Sequence, residues 1–104
     1  MTDAKQTELS KGTDYTEPKA GMVVLSRMGR DKGKYLVVTA VLSPEFVEVC
    51  DGKYRKLSAP KRKRWKHLIP IGKTIETIAI KLEAGKKVFD SELYSALGAI
   101  AKSG

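Results

Sequence analysis

An apolar run at residues 35–42, directly after a turn with two glycines, sets the strongest limit on how this chain folds. The run is rich in β-branched and apolar side chains and predicts a buried β-strand. Gly29 and Gly33 can take the positive φ angles that a tight turn often needs and that other residues resist. Three cations, Arg30, Lys32 and Lys34, crowd the turn. We therefore expect a cationic loop held out from a buried strand, an arrangement better suited to phosphate contact than to covalent chemistry.

The segments around this strand predict a mainly β domain. Residues 21–28 contain a Val-Val-Leu run that predicts the first strand, and residues 46–50 alternate partly and predict a third. Asp51-Gly52 is a strong two-residue hairpin signal, so residues 53–57 are expected to pair back as a short fourth strand. The apolar residues 68–71 are expected to close the sheet. Short strands at close spacing predict a small barrel, which also removes exposed strand edges.

The two ends of the chain differ from this central segment. Residues 1–20 are polar and without periodicity, and they predict a disordered tail. After Gly72 the apolar spacing becomes helical, so residues 74–104 predict an extension of one or two short α-helices. The predicted organisation is thus a tail, a barrel at residues 21–73 and a helical extension.

Each predicted helix has a candidate cap and an apolar stripe. Thr74 is expected to cap the first helix, which should end near Gly85, and Asp90 or Ser91 is expected to cap the second. The first stripe consists of Ile75, Ile78 and Leu82, and the second of Leu93, Leu97 and Ile100. We expect both stripes to pack against the barrel.

Positive charge is concentrated in the middle of the chain. The whole chain carries a net charge of +8, but residues 21–73 alone hold thirteen Lys and Arg against four Asp and Glu, a net +9. Residues 1–20 carry −1 and residues 74–104 carry zero. This confinement predicts a basic face, which attracts polyanions such as nucleic acid or an anionic membrane surface.

A second basic cluster holds five cations in six residues around a tryptophan: Lys61, Arg62, Lys63, Arg64, Trp65 and Lys66. Such a cluster is costly to assemble unless an anion neutralises it. In an extended segment Arg62, Arg64 and Lys66 lie on one side, with Lys61, Lys63, Trp65 and His67 on the other. Trp65 either stacks on an unpaired base or fills the core, and Tyr35 and Tyr54 are either base-stackers or sheet residues. Nuclear import is a further use for a basic run of this length.

The patterns of several enzyme classes are not met. Three residues separate Gly29 from Gly33 where a nucleotide phosphate loop has four, and Tyr35 stands where that loop needs Ser or Thr for magnesium. One His and one Cys cannot assemble a His/Cys transition-metal site within one chain. A Cys50–His67 pair is formally available, but Cys50 is predicted to be a small packed thiol. We therefore expect no catalytic residues, no metal and no cofactor.

Partner and compartment expectations follow from what the sequence lacks. No apolar run approaches the roughly eighteen residues of a membrane span, and the N-terminus lacks the layout of a signal peptide. A single cysteine excludes an internal disulfide and fits a reducing compartment. We expect a cytoplasmic monomer with no membrane partner.

Residues 21–73, about half of the chain, resemble a KOW module. The cues, in order, are Gly21-x-Val23-Val24, Gly29-Arg30-Asp31-x-Gly33-Lys34, Val37-Val38, Val49-x-Asp51-Gly52 and, after the basic run, Lys66-His67-Leu68. They are similar to archaeal and eukaryotic large-subunit ribosomal proteins of the fourteen-e and six-e type. They resemble more closely a small family of bacterial KOW-domain RNA-binding proteins.

The resemblance implies an SH3-like barrel that binds structured RNA, with the loop between the first two strands as a contact. The implied RNA-binding residues are Arg27, Arg30, Lys32, Gly33, Lys34, Lys61, Arg62, Lys63, Arg64, Trp65 and Lys66. The implied partner is RNA, in particular ribosomal RNA, with ribosomal proteins as further candidates. The ribosomal relatives often carry long basic tails, whereas residues 1–20 are slightly acidic, which favours a peripheral or transient partner.

Two hypotheses follow. The first is a non-enzymatic RNA-binding protein of the translation machinery, for which alanine at Arg62, Lys63 and Arg64 should weaken RNA binding and leave thermal stability nearly unchanged. The alternative is an SH3-like protein-interaction module that binds a ribosomal or transcription partner through the apolar faces of its C-terminal helices.

Overall fold

The structure, a computed structural model, describes residues 17–103, so residues 1–16 of the predicted tail lie outside the described residues. The strands are β1 Met22–Ser26, β2 Tyr35–Val41, β3 Phe46–Cys50, β4 Lys61–Arg64 and β5 Leu68–Thr74; a 3-10 turn spans Trp65–His67, and the helices are α1 Glu76–Glu83 and α2 Asp90–Ser103. The strands form one antiparallel sheet in the order β4-β3-β2-β1-β5. The prediction of a mainly β domain followed by one or two helices is confirmed, and the number of helices is two.

Strand β2 is buried on both faces, as its apolar run predicts. Its pairing with β1 sets Val23 opposite Val37 and Val24 opposite Leu36, and all four side chains are fully buried. Neighbouring side chains on a strand point to opposite faces, so Leu36 and Val37 enter different cores. The sheet therefore separates two hydrophobic cores.

The first core, the strand core, lies on the face without helices. It consists of the buried residues Met22, Val24, Leu36, Val38, Val47, Val49 and Leu68. Trp65 packs against it from the 3-10 turn. Register shifts between β1 and β5 and between β2 and β3 add local bends to the sheet.

The second core, the helix core, lies between the sheet and the two helices. Val23, Val37 and Cys50 of the sheet meet Ile78 of α1 and Leu93 and Leu97 of α2. Ile75, Leu82 and Ile100 pack at its margin, so both predicted stripes face the sheet. An ion pair of 2.6 Å between Lys81 and Glu92 joins the two helices.

The predicted caps of the helices need correction. Thr74 is the last residue of β5, opposite Met22, and Ile75 takes the N-cap position of α1 without a side-chain hydrogen bond. Strand pairing extends to Thr74 and leaves no room for it to cap.

Asp90 and Ser91, the predicted caps of the second helix, are instead the first two residues of α2, and the Asp90 carboxylate accepts the Leu57 N–H at 2.8 Å. The Phe89 N–H donates to the Glu92 carboxylate at 2.9 Å, which satisfies one free amide at the start of α2.

The predicted fourth strand at residues 53–57 is wrong. Asp51 Oδ1 accepts the backbone N–H groups of Lys53, Tyr54 and Arg55, each at 2.8 Å. These three amides are used locally, and the Leu57 N–H donates to the Asp90 carboxylate at 2.8 Å, so four of the five amides of the segment cannot form a ladder with β3. Gly52, at φ 84°, lies so close to α2 that a Cβ would collide with the Asp90 carbonyl oxygen. The partner of β3 is instead β4, later in the chain.

Candidate nucleic-acid interface

The loop at residues 27–34, which we call the β1–β2 loop, has the geometry that its glycines predict. Gly29 and Gly33 have φ angles of 80° and 85°. The Gly33 N–H donates to the Ser26 carbonyl at 2.8 Å, and the Ser26 N–H donates to the Lys34 carbonyl at 3.0 Å, which closes the loop at its base. The exposed cations of the loop are Arg27, Arg30, Lys32 and Lys34.

Replacing Gly33 with alanine should lower the free energy of unfolding by about 1 kcal/mol, because an L residue is strained at φ 85°. Nothing lies within 4 Å of the added Cβ, so no steric clash adds to this cost. Gly98→Ala in α2 is the matched control, since its Cβ also enters open space and helix propensity should make it stabilising by about 0.5–1 kcal/mol. Urea unfolding of both variants checks the opposite signs, and equal effects would contradict this account of the loop.

Asp31 is buried within this cationic loop, with 3% of its surface exposed. Arg55 donates to both carboxylate oxygens at 3.1–3.3 Å, and Lys63 Nζ lies 3.7 Å from Oδ2. Desolvation by burial raises the pKa of Asp31, but the hydrogen bond and charge of Arg55 and the charge of Lys63 outweigh it, so the pKa lies below the usual 3.8. The ionised Asp31 therefore anchors the loop to the sheet.

Lys63 is turned inward, unlike its neighbours on β4. Its side chain is only 8% exposed, and its ammonium donates to Ser26 Oγ at 3.0 Å and to the Met28 carbonyl at 2.9 Å. The Lys63 ammonium is thus paired with the Asp31 carboxylate and hydrogen-bonded within the protein, so Lys63 is not placed to contact a phosphate. Its structural effect is to bring β4 and the β1–β2 loop, two separately predicted basic clusters, next to each other.

Arg62 and Arg64 are exposed and share one side of β4, as alternation predicts. Phe46 lies opposite Arg64 on the neighbouring strand. The two guanidinium carbons stand 4.5 and 4.9 Å from the centroid of its ring, within cation–π distance. The Phe46 ring therefore contacts two exposed guanidinium groups from the same side of β4. Lys66 is also exposed but lies in the 3-10 turn, which ends the alternation.

A shallow groove of about 440 Å³ runs between the loop and β4. Its lining consists of Met28, Gly29, Phe46, Lys61, Arg62, Lys63, Arg64 and His67. We use the name basic face for this groove together with the adjoining exposed cations Arg27, Arg30, Lys32 and Lys66.

Trp65 is half-buried against the strand core, which agrees with the core alternative of its two predicted roles. Its backbone N–H donates to the Glu45 carbonyl at 2.7 Å. A second small depression, beside the basic face, is lined by Trp65 with Arg64 and Lys66. Tyr35 likewise packs at the margin of the helix core.

Cys50 and His67 lie in different surroundings. Cys50 is fully buried in the helix core, and burial raises its pKa to about 11, with a smaller increase from nearby carboxylates. At neutral pH it is therefore a thiol and not the nucleophilic thiolate. His67 lines the groove of the basic face. Within residues 17–103, no three or more His, Cys, Asp or Glu side chains are grouped to hold a metal ion.

Several residues of the site were not predicted. The anchoring roles of Asp31 and Arg55 and the contact of Phe46 with two arginines depend on strand register across an irregular ten-residue connection. Tyr94 and Lys53, which lie close together beside the loop, come from separate parts of the chain. The one signal in the sequence for an internal ion pair is Asp31, an acidic residue between Arg30 and Lys32 of the loop.

Comparison of the sequence with known proteins and families finds no match. The chain matches no protein-family model, and no curated protein matches it in sequence. Among the described residues, none of the helices has the length and apolar character needed to cross a membrane.

Proposed function

We propose that this chain is a non-enzymatic RNA-binding protein of the translation machinery, which contacts structured, in particular ribosomal, RNA through the basic face. The observation that carries the proposal is the buried Lys63, whose hydrogen bonds hold β4 against the β1–β2 loop. The cations of β4 thereby line one groove together with Met28 and Gly29 of the loop, and the loop's own cations are exposed in the same eight-residue segment. Such a surface attracts a polyanion and provides the phosphate contacts that position a protein on nucleic acid.

The acidic residues of the central segment neutralise little of the positive charge on the protein surface. Asp31 is buried in its ion pairs, and the carboxylate of Asp51 accepts backbone amides. Only Glu45 and Glu48, of the four acids at residues 21–73, are exposed or half-exposed. Most of the outward-facing charge is therefore positive.

The paired guanidinium groups favour phosphate as the ligand. Arginine binds phosphate through two parallel hydrogen bonds, and a planar group oriented in advance loses less freedom on binding. Arg62 and Arg64 lie two residues apart on an extended strand, so their Cα atoms are separated by roughly 6.8 Å and their side chains leave the same side of β4.

The proposal includes an SH3-like barrel of the KOW type. Two features support it: the strand core is buried on a sheet face that bears no helix, and the loop between the first two strands carries Gly33 at positive φ. The KOW resemblance implies this loop, between the first two strands, as an RNA contact.

The protein-interaction alternative loses the surface assigned to it. It needed the apolar faces of the C-terminal helices for a partner, but Ile78, Leu93 and Leu97 are buried against the sheet. The large apolar side chain that α1 leaves exposed, Ile80, remains available for such a partner.

The proposal predicts a strong salt dependence of RNA affinity. A face that neutralises about five phosphates should give a slope of log affinity against log salt of roughly −3.5 to −4.5. Fluorescence anisotropy of a labelled ribosomal RNA hairpin, titrated at several salt concentrations, measures this slope. Lys73→Ala is the control, because this exposed cation lies on β5 at the other edge of the sheet and should leave the slope unchanged.

Sedimentation of a cell lysate then tests the ribosomal part of the proposal. Co-migration of the protein with large ribosomal subunits, lost at high salt or after nuclease treatment, is the expected result. RNA affinity that does not respond to salt would contradict the basic face, and migration with free RNA alone would contradict the ribosomal partner.

A further inference from the structure

A second surface beside the β1–β2 loop carries two tyrosines that the cores do not use. Tyr54 is 66% exposed and Tyr94 is 53% exposed. Both line an open groove of about 840 Å³ between the end of the loop, the Asp51 turn and helix α2. Exposed aromatic rings at the wall of a groove are typical of surfaces that bind a planar ligand.

Cations accompany both rings. Lys34 Nζ lies 4.4 Å from the centroid of the Tyr54 ring. Lys53 Nζ lies 5.2 Å from the Tyr54 centroid and 5.5 Å from that of Tyr94, so one ammonium serves both tyrosines. These rings and cations match a ligand with an aromatic plane and a negative charge, as a nucleotide has.

The side of the groove formed by α2 leaves room for such a ligand. It presents Gly98, Ala99 and Ala101, whose side chains are small, followed by the exposed Lys102. The wall of the groove along this part of α2 therefore places no bulky side chain in the way of a planar base.

We infer that this tyrosine groove binds the base of an unpaired nucleotide, stacked on Tyr54 or Tyr94, while Lys34 and Lys53 contact its phosphates. The inference rests on the proposed RNA-binding function and adds a site for single-stranded RNA to it. Stacking on a tyrosine tolerates any base, because every base has an aromatic face.

The β1–β2 loop connects this groove to the basic face. Met28 and Gly29 at the start of the loop line the groove of the basic face, whereas Gly33 and Lys34 at its end line the tyrosine groove. An RNA that crosses the loop thus meets a phosphate-binding surface on one side and stacking rings on the other. The arrangement fits a duplex that continues into an unpaired strand.

Two probes with equal charge separate stacking from phosphate contact. One is a labelled oligoadenylate, and the other is an abasic oligomer with the same number of phosphates. The wild-type protein should bind the oligoadenylate roughly 5- to 100-fold more tightly. Tyr54→Ala and Tyr94→Ala together should remove this preference, whereas Tyr54→Phe with Tyr94→Phe should retain it, since the ring is kept.

Phe89→Ala is the matched control, because Phe89 is an exposed ring beside Lys87 that does not line the groove. Equal affinity of the wild type for both probes would overturn the tyrosine groove and leave the basic face standing. Binding of neither probe would overturn the tyrosine groove, and the ribosomal RNA hairpin then tests the basic face by itself. Loss of affinity for both probes alike, with a lower unfolding temperature of the alanine variant, would show a structural role and overturn the inference.

Discussion

Replacement of Asp31 by asparagine should lower the free energy of unfolding by about 2–4 kcal/mol at neutral pH. The substitution keeps the shape of the side chain but removes the charge that pairs with Arg55 and Lys63. Lys63 is then left nearly buried without a carboxylate. The loss of stability is limited because the Lys63 ammonium still donates hydrogen bonds to Ser26 Oγ and the Met28 carbonyl. Arg55 is also partly exposed, so water can solvate its charge.

The ion pairs of Asp31 also predict the direction in which the free energy of unfolding changes with pH. The pKa of Asp31 is lowered in the folded protein, so its stabilising contribution is complete above its usual pKa of 3.8, which it has in the unfolded chain. It is lost as the pH falls through the lower folded pKa, where the carboxylate takes up a proton. The stability difference between wild type and Asp31→Asn should therefore shrink below about pH 4.

Urea unfolding at neutral and acid pH measures both effects. Glu45→Gln removes the same charge from an exposed side chain and should change the free energy of unfolding by less than about 0.5 kcal/mol. If Asp31→Asn is no less stable than Glu45→Gln at neutral pH, the anchoring role of Asp31 is wrong.

The features predicted from sequence were those encoded by local pattern. The apolar run of β2 and the glycines of the loop depend on a few neighbouring residues, and the helical stripes depend on a single period. Each of these features needs no knowledge of which segments meet in space. Charge confinement to residues 21–73 likewise predicted a basic segment, although not its arrangement.

The errors arose where a side chain or a long-range pairing decided the outcome. Asp51-Gly52 carries a hairpin signal, yet the Asp51 carboxylate captured the amides that a hairpin strand needs. Lys63 is indistinguishable by sequence from the cations around it, and its burial follows from the register of β4 on β3. Tyr54 and Tyr94 share a groove only because α2 packs beside the Asp51 turn.

The inward position of Lys63 changes which variant tests RNA binding. The alanine triple at Arg62, Lys63 and Arg64 was expected to leave stability unchanged, but Lys63 helps to hold the loop through Asp31 and Met28. Its removal should lower stability and would confuse a loss of fold with a loss of contact. The cleaner variant is the double substitution Arg62→Ala with Arg64→Ala.

This double variant should bind structured RNA roughly 30-fold to several hundred-fold more weakly, at about 1–2 kcal/mol for each guanidinium contact. The salt slope should become shallower by roughly 1.4–1.8, since two phosphates are no longer neutralised. Thermal stability should change little, because both side chains are exposed and their contact with Phe46 is worth about 0.5–1 kcal/mol at such a site.

Two further variants make the result specific to the basic face. Lys86→Ala with Lys87→Ala removes the same charge from exposed positions between the helices, so its RNA affinity should stay near that of the wild type. Arg62→Lys with Arg64→Lys keeps the charge but not the paired hydrogen bonds, so it should retain the salt slope while losing part of the affinity. Equal weakening by the Arg62/Arg64 and Lys86/Lys87 alanine pairs would mean that net charge, and not this face, governs binding.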